Sequence, residues 1–394
     1  MTSDVPVRIG IVGASVRAAL QSARRGGIAA RGADLFADAD AVRVAPVVRV
    51  EHYPWGLADA LSTMPVDAWM YTGALENHPQ LIEQMARIFP LLGNGPDVLA
   101  RVRSPQRLEQ LLRGTEVHYP AWRRDSDELP TDGSWLVKPL RSAGGGRIAP
   151  YVGQDLSPGT EWLFQQRVPG TVAAALYVAA KGKAKLLGVT QAWQDGAWTG
   201  ARDFAYCGSM GPIEVSECLE RKLNGLGAAL AQCGVVGLFG VDVVLAGEQV
   251  WVLEVNPRYT GSMELLECAS GLSLVGLHVR AYREGCCDIA LAESRQMVGK
   301  AIVYAQRRGT ISAEFSARAL SEGRIAEEGP HPNPLPKGEG ARGCDAWLAD
   351  IPVGGTEFEG GQPVLTVLAR GDDAAEVEEA LRQRVRVLQR ELGC

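Results

Sequence analysis

Two hydrophobic rhythms alternate along the first hundred residues. An apolar, β-rich run, VRIGIV, passes through the small-residue turn GAS into a helical pattern that stops at Gly26 and Gly27, predicting a strand, a turn and a helix. Strand-like runs recur at Val42 to Val50 and Ala68 to Thr72, with a helix from about Pro79 to Ile88 and a turn at LLGNGP. Residues 1–100 therefore read as an open α/β domain. At Ser104 the rhythm changes: Ser104 suits a helix cap and Pro105 the first helical position. Beyond it, SWLVKPLRSAGGGRIAPY, FQQRVPG, AALYVAA, KLLGVTQAW and GVDVVLAGEQVWVLEVN read as strands and turns, with helices at Val215 to Cys233 and Leu272 to Tyr282. Without a regular βαβ beat, residues 101–305 favour an α+β unit. Residues 306–394 end in a helix from about Asp373 to Leu392 and contain a Pro/Gly-rich insertion at 328–343 that reads as an exposed or disordered loop, resembling translated repetitive-element sequence.

Composition narrows the function classes. The 394 residues are 46% hydrophobic and 22% charged, ordinary for a soluble multidomain chain. A formal net charge of −6 offers no basic surface for nucleic acid. No apolar run reaches the roughly 18–20 residues of a membrane helix, and the amino terminus lacks the regions of a signal peptide, so a cytoplasmic protein without a membrane partner is expected. Eight cysteines without a CxxC pair read as reduced thiols, and five histidines stand too far apart for a helical metal site. GASVRA is not GxGxxG, so a plain strand-to-helix turn is favoured over a dinucleotide site.

Two stretches carry candidate chemistry. In WVLEVNPR, alternate positions put Trp251, Leu253 and Val255 on one strand face, and Glu254, Asn256 and Arg258 on the other. The preceding run GLFGVDVVL joins it through a hairpin, and a register centred on Glu248 places Asp242 opposite Glu254. Facing carboxylates destabilise a sheet unless a cation lies between them; Asp242, Glu254 and Asn256 suit a hard divalent ion such as Mg²⁺, with phosphate oxygens completing its shell. The plainer alternative makes Asp242 a strand-end residue and pairs Glu254 with Arg258 at the surface. The second stretch, VKPLRSAGGGR, sets Lys138 in an apolar strand, where an ammonium needs an anion. Ser142, Gly144, Gly145 and Gly146 follow, in a loop whose backbone N–H groups could wrap a phosphate.

In this order, strand-Lys-Pro, glycine loop, QQRVPG, GVDVV and VLEVNPR, the chain resembles the ATP-grasp superfamily over about residues 100–305. Through GASVRAALQSARRGG, DLFADAD, YTGALEN and LLGNGP it is similar to the group of ATP-dependent carboligases related to biotin carboxylase. The resemblance implies an ATP-grasp fold, mixing α/β and α+β, behind an amino-terminal Rossmann-like domain, with ATP bound between two lobes. It implies that Lys138 contacts phosphates, that Ser142 to Arg147 form the flap above them, and that Arg103 replaces a second phosphate-binding lysine. Gln165, Gln166, Arg167 and Val168 match the hinge whose backbone reads adenine, although Gln166 stands where many relatives have glutamate. Asp242, Glu254 and Asn256 match the ligands of Mg²⁺, with Mn²⁺ the alternative ion, and Arg258 the cation at the transferred phosphoryl group. Tyr259 to Ser262 lie where relatives place the acceptor, with a plain turn after Pro257 the alternative; Arg202, Asp203 and Tyr206 lie in a loop that either reaches substrate or is simply polar.

The expected activity is an ATP-dependent ligase joining a small-molecule carboxylate to an amine through an acylphosphate. Relatives of the carboligase group are associated with one-carbon metabolism, which makes biosynthesis of a one-carbon carrier cofactor the candidate setting. A carboxylase acting through carboxyphosphate and a non-catalytic ATP-binding regulator are the rivals, and a homodimer is a common outcome for the fold. Cys207, Cys286 and Cys287 lack a histidine partner and read as bystander thiols rather than nucleophiles.

Overall fold

Strand β1 (Ile9–Val12) is buried along its whole length, because it is the inner strand of a parallel sheet covered on both faces. Helix α1 (Arg17–Arg25), β2 (Ala30–Asp34), α2 (Ala39–Val44), β3 (Val47–Arg49), α3 (Gly56–Ser62) and β4 (Ala68–Tyr71) complete this layer, with strand order β3-β2-β1-β4. A 3₁₀ turn (Leu75–Asn77), α4 (Pro79–Ala86) and α5 (Pro96–Val102) follow. The computed structural model describes residues 7–289, 296–322 and 347–393; the insertion at 328–343, with His331, and residues Cys344 and Cys394 lie outside the described residues.

The run expected as a strand from Val42 to Val50 divides. Its first part is the end of α2, Ala45 is extended ahead of Pro46, and ladder pairing with β2 starts only at Val47. Proline excludes the helical conformation from its predecessor, which separates the two elements. Helix α6 (Pro105–Leu112) begins after Ser104 as expected, but the Ser104 hydroxyl reaches Gln106 Oε1 (3.2 Å) instead of capping a backbone N–H.

A small antiparallel sheet follows, made of β5 (Trp122–Arg123), β6 (Trp135–Pro139), β7 (Ala149–Pro150) and β8 (Trp162–Gln166) in the order β5-β8-β6-β7. The main sheet collects β9 (Thr171–Ala180), β10 (Lys183–Ala192), β11 (Gly208–Gly211), then, after α7 (Glu217–Gln232), β12 (Gly237–Ala246) and β13 (Gln249–Asn256). Helices α8 (Met263–Ser270) and α9 (Leu274–Arg283) precede β14 (Met297–Tyr304). After β15 (Gly309–Thr310) and α10 (Ala313–Glu322) come β16 (Trp347–Ala349), β17 (Glu357–Phe358), β18 (Pro363–Gly371) and α11 (Ala374–Leu392). The main sheet has eight strands in the order β13-β12-β9-β10-β11-β14-β18-β16, and β15 pairs with β17.

One face of the main sheet packs α6 and α7 through Tyr177, Leu223, Leu226 and Phe239. Tyr177 and Phe239 stack with centroids 4.7 Å apart, and the Tyr177 hydroxyl donates to Leu223 O. The other face meets α1, α8 and α9 through Leu176, Leu238, Met263 and Val275. This second face joins the amino-terminal layer to the main sheet, and His278 on α9 is one of its pins: its Nδ1 accepts from Leu238 N (2.9 Å), so its Nε2 carries the proton and donates to Leu92 O (2.9 Å).

Burial lowers the His278 pKa to about 4, against about 6.5 in an unfolded chain. The unfolded state therefore binds the extra proton first, and the stability from a neutral His278 is full above pH 6.5 and lost as pH falls toward 4. At most roughly 3 kcal/mol is involved. Urea denaturation at pH 7, 5.5 and 4.5 should show wild type losing stability on acidification faster than His278→Gln; parallel losses would rule out this role.

Candidate active site

The β12–β13 hairpin turns through Gly247 and Glu248, pairing Ala246 with Gln249 and Val243 with Val252. Continued unbroken, that register would set Asp242 against Leu253. A bulge between Asp242 and Val243 inserts Leu253 as an extra residue, so Asp242 does pair with Glu254, and Gly240 with Asn256. The expected carboxylate pair is present, but the bulge corrects the expected faces. Val250, Val252 and Val255 enter the core, whereas Trp251 and Leu253 are only half-buried. Trp251 instead packs its ring 4.8 Å from that of His118.

Around this pair the fold brings together Arg103, Lys138, Gln165, Asn256 and Arg258. Asn256 is buried, and its Nδ2 donates to Asp242 Oδ2 (3.0 Å) and Glu254 Oε1 (3.2 Å). Its Oδ1 accepts from Arg258 (3.1 Å) and Arg103 (3.4 Å). Burial first and Glu254 second raise the Asp242 pKa to about 7. Two facing, half-buried carboxylates form an oxygen-only cradle suited to a hard divalent cation. Asn256 would join the shell as a ligand by turning its amide, giving up the contacts of Oδ1 to the two arginines. Among the described residues no group of three or more His, Cys, Asp or Glu is arranged to hold a metal.

Lys138 projects from β6 toward the same centre. Its Nζ donates to Gln165 Oε1 (2.8 Å). Burial lowers its pKa, and nearby Glu254 and Asp242 oppose that effect. Gln165 is buried by its side chain, and its amide nitrogen has no well-formed hydrogen bond among the described residues, with the Tyr119 hydroxyl beside it. The adjoining hinge differs from the expectation: Gln166 N donates to Ala121 O and Arg167 N to Ser134 O, both 2.8 Å. These donors serve the sheet edge.

The glycine loop lies over this region. Gly144 and Gly145 have φ of +61° and +74°, and a Cβ on Gly145 would stand 1.7 Å from Phe204 O. Glycine is required there by close backbone approach. Tyr206 N donates to Gly144 O (3.0 Å), and Asn77 Nδ2 to Ser142 O (3.0 Å), so the loop is tied to two other segments.

The residues missed by sequence reasoning come from the amino-terminal layer. Arg258 does not pair with Glu254; its Nη2 donates to Glu76 Oε1 (2.6 Å), and both side chains are nearly inaccessible. Burial acts to raise the Glu76 pKa, but Arg258 and Arg103 outweigh it and hold the carboxylate below its usual range. Asn77 accepts from Arg103 (3.2 Å). Buried Asn94 donates to Val236 O and Pro257 O and accepts from Val236 N, fixing the chain just before Arg258. YTGALEN and LLGNGP were the available signals, without roles attached to Glu76, Asn77 or Asn94. Of the cysteines, Cys207 is buried with its thiol pushed up by burial, and the described cysteines form no disulfides.

The profile of the family described as "ATP-grasp domain" matches residues 106–262. That match covers about two fifths of the chain. The match holds every residue of the carboxylate pair, hinge and glycine loop, while Glu76, Asn77 and Arg103 lie before it. The chain superposes on N5-carboxyaminoimidazole ribonucleotide synthetase in complex with ADP, with a TM-score of 0.67 and 14% identity over 99% of both chains. It also superposes on L-amino acid ligase from Bacillus licheniformis, with a TM-score of 0.63 and 14% identity over 96% of both. At these identities the likeness is one of fold: an ATP-grasp fold with an amino-terminal domain. Among curated proteins it is 38% identical over 82 residues to formate-dependent phosphoribosylglycinamide formyltransferase of Thermococcus kodakarensis, covering 20% of this chain and 19% of the relative. The aligned part spans about a fifth of that relative's length. No helix among the described residues is long and apolar enough to cross a membrane.

Glu76→Gln should leave Arg258 buried beside a neutral amide. Removing one charge of a buried pair costs about 3–5 kcal/mol. A clear fall in the urea midpoint is expected, and a midpoint unchanged from wild type would show that the pair does not hold the layers together.

Proposed function

We propose that the protein is an ATP-dependent carboxylate–amine ligase. The observation that carries this reading is the convergence of facing carboxylates, Asp242 and Glu254, with three cations, Lys138, Arg103 and Arg258, at the junction of two sheets. Phosphoryl transfer asks little covalent chemistry of a protein and much positioning and charge compensation. Asp242 and Glu254 would hold Mg²⁺, assisted by Asn256 if its amide turns, and the ion when bound would neutralise phosphate oxygens. Lys138 and Arg258 orient the phosphoryl group, with Arg103 behind Asn256. The Ser142–Arg147 loop, held by Asn77 and Tyr206, excludes water.

A substrate carboxylate oxygen attacks the γ-phosphorus, ADP leaves, and an acylphosphate forms. An amine then attacks the acyl carbon, expelling inorganic phosphate and releasing its proton as the amide forms. The likeness to an L-amino acid ligase supports an amino acid as one substrate. The family resemblance supports a one-carbon carrier cofactor precursor as the other. A second reading, transfer through carboxyphosphate, is favoured by the full-length likeness to a carboxyaminoimidazole ribonucleotide synthetase.

Glu254→Gln and Lys138→Ala should each lower ADP and phosphate release by about 10²-fold or more, as expected for lost electrostatic stabilisation, while the circular dichroism spectrum stays that of wild type. Near-wild-type turnover by either variant would exclude this site. Turnover that requires bicarbonate in place of another carboxylate would favour the second reading, and chelation by EDTA should abolish activity until Mg²⁺ is restored.

A further inference from the structure

Strand pairing places a second polar centre on the face that carries the carboxylates. Glu254, Asp242, Ala174 and Thr190 pair in succession across β13, β12, β9 and β10. Ala192, two residues beyond Thr190, pairs with Ser209, and Ser209 pairs with Lys300. Cross-strand partners share a face, and so do residues two apart. Ser209 and Lys300 therefore project from the same side of the main sheet as Asp242 and Glu254. Two buried hydroxyls on this side, Thr190 Oγ1 and Thr260 Oγ1, have no hydrogen-bond partner among the described residues.

Lys300 is nearly fully buried. Its Nζ donates to Gly261 O and lies 3.4 Å from Glu264 Oε2. Glu264 is already held by both terminal nitrogens of Arg17. Lys300 therefore shares Glu264 with Arg17, and Asp350, which Arg17 also holds, adds its charge from farther off. Beside it stand three hydroxyls: Tyr206 Oη is 2.8 Å from Ser209 Oγ and 3.5 Å from Ser262 Oγ, and its ring lies 5.9 Å from Lys300 Nζ. Tyr206 is only half-buried, so the cluster reaches the surface through it, and its backbone is bonded to the glycine loop.

An ammonium beside O–H donors, whose nearest carboxylate is shared with Arg17, has the chemistry of a carboxylate receptor. We propose that Lys300, Ser262, Ser209 and Tyr206 bind a substrate carboxylate that does not itself react. Gly261, which Lys300 touches, is three residues from Arg258, so their Cα atoms are at most about 10 Å apart. A compact molecule carrying two carboxylates, such as a short dicarboxylate or an acidic amino acid, spans from Arg258 to Lys300. This rests on the ligase reading for the role of Arg258, while the anion site is tested by binding alone.

The test titrates succinate, glutarate, adipate and L-glutamate, with butyrate as the monocarboxylate control, into the full chain holding Mg²⁺ and a non-hydrolysable ATP analogue, using calorimetry. At least one of the four should bind about tenfold or more tighter than butyrate. Lys300→Met should erase that preference while affinity for the ATP analogue stays within about twofold of wild type. Because Lys300→Met could disturb its contact with Glu264, Ser262→Ala is the second variant; it should weaken the preferred acid about threefold or more with an unchanged melting temperature. No preference in wild type, a preference retained in a folded Lys300→Met, or an unchanged affinity for the preferred acid in Ser262→Ala overturns the site. ADP release is scored separately with the same acids and an amine. Preferential binding without ADP release would sink the ligase reading and leave the anion site standing, whereas ADP release with no Lys300-dependent preference would do the reverse.

Discussion

The ion pair between Arg258 and Glu76 is the constraint on which the rest of the arrangement depends. Arg258 follows the last strand of the hairpin and Glu76 lies in a 3₁₀ turn of the amino-terminal layer, 182 residues earlier. Neither charge has appreciable contact with water, so each needs the other, and the desolvation of both is tolerable only while the two layers are docked. Neighbouring contacts spread that load. Asn94 fixes the backbone before Arg258, Asn77 ties Arg103 to the glycine loop, and His278 joins Leu92 to β12. The amino-terminal layer is thus a structural wall of the candidate site, and the cations it orients are those that face the carboxylates.

The bulge at Leu253 solves a second problem. A regular hairpin that buries Val250 and Val252 would carry that parity onward and bury Glu254 on the core face. Inserting one residue resets the parity, so Val255 returns to the core and Glu254 and Asn256 turn to the opposite side. The small sheet then supplies Lys138 and Gln165 from the other direction. Its hinge keeps Gln166 and Arg167 bonded along the edge, which holds Gln165 against Lys138. Compensation among carboxylates, lysine and arginines is therefore built by several elements with separate hydrophobic supports.

Much of this was legible because it follows from local chemistry. The strand-turn-helix start, the helix after Ser104, the long helices and the final helix have period and boundary residues that agree with their surroundings. Val42 to Val50 misled, since Val42 reads equally well on a short surface helix and only Pro46 marks the break. The Asp242–Glu254 pairing was anticipated from a register one residue off that of the turn; the bulge restored it. Glu76, Asn77 and Asn94 carried no local sign of a role, because their partners are far along the chain.

The sequence by itself determined the periodicities, the glycine loop after Lys138, and the alternation of polar groups ahead of Pro257, since each depends on neighbours within a few residues. It also determined the family resemblance, which rests on the order of those motifs. Tertiary structure alone decided that Arg258 pairs with Glu76, that Leu253 is extruded, and that Lys300 shares the face of the carboxylates. Those outcomes depend on which distant charges are buried together and on the parity of strands that meet only in the folded sheet, and neither is encoded in any local stretch.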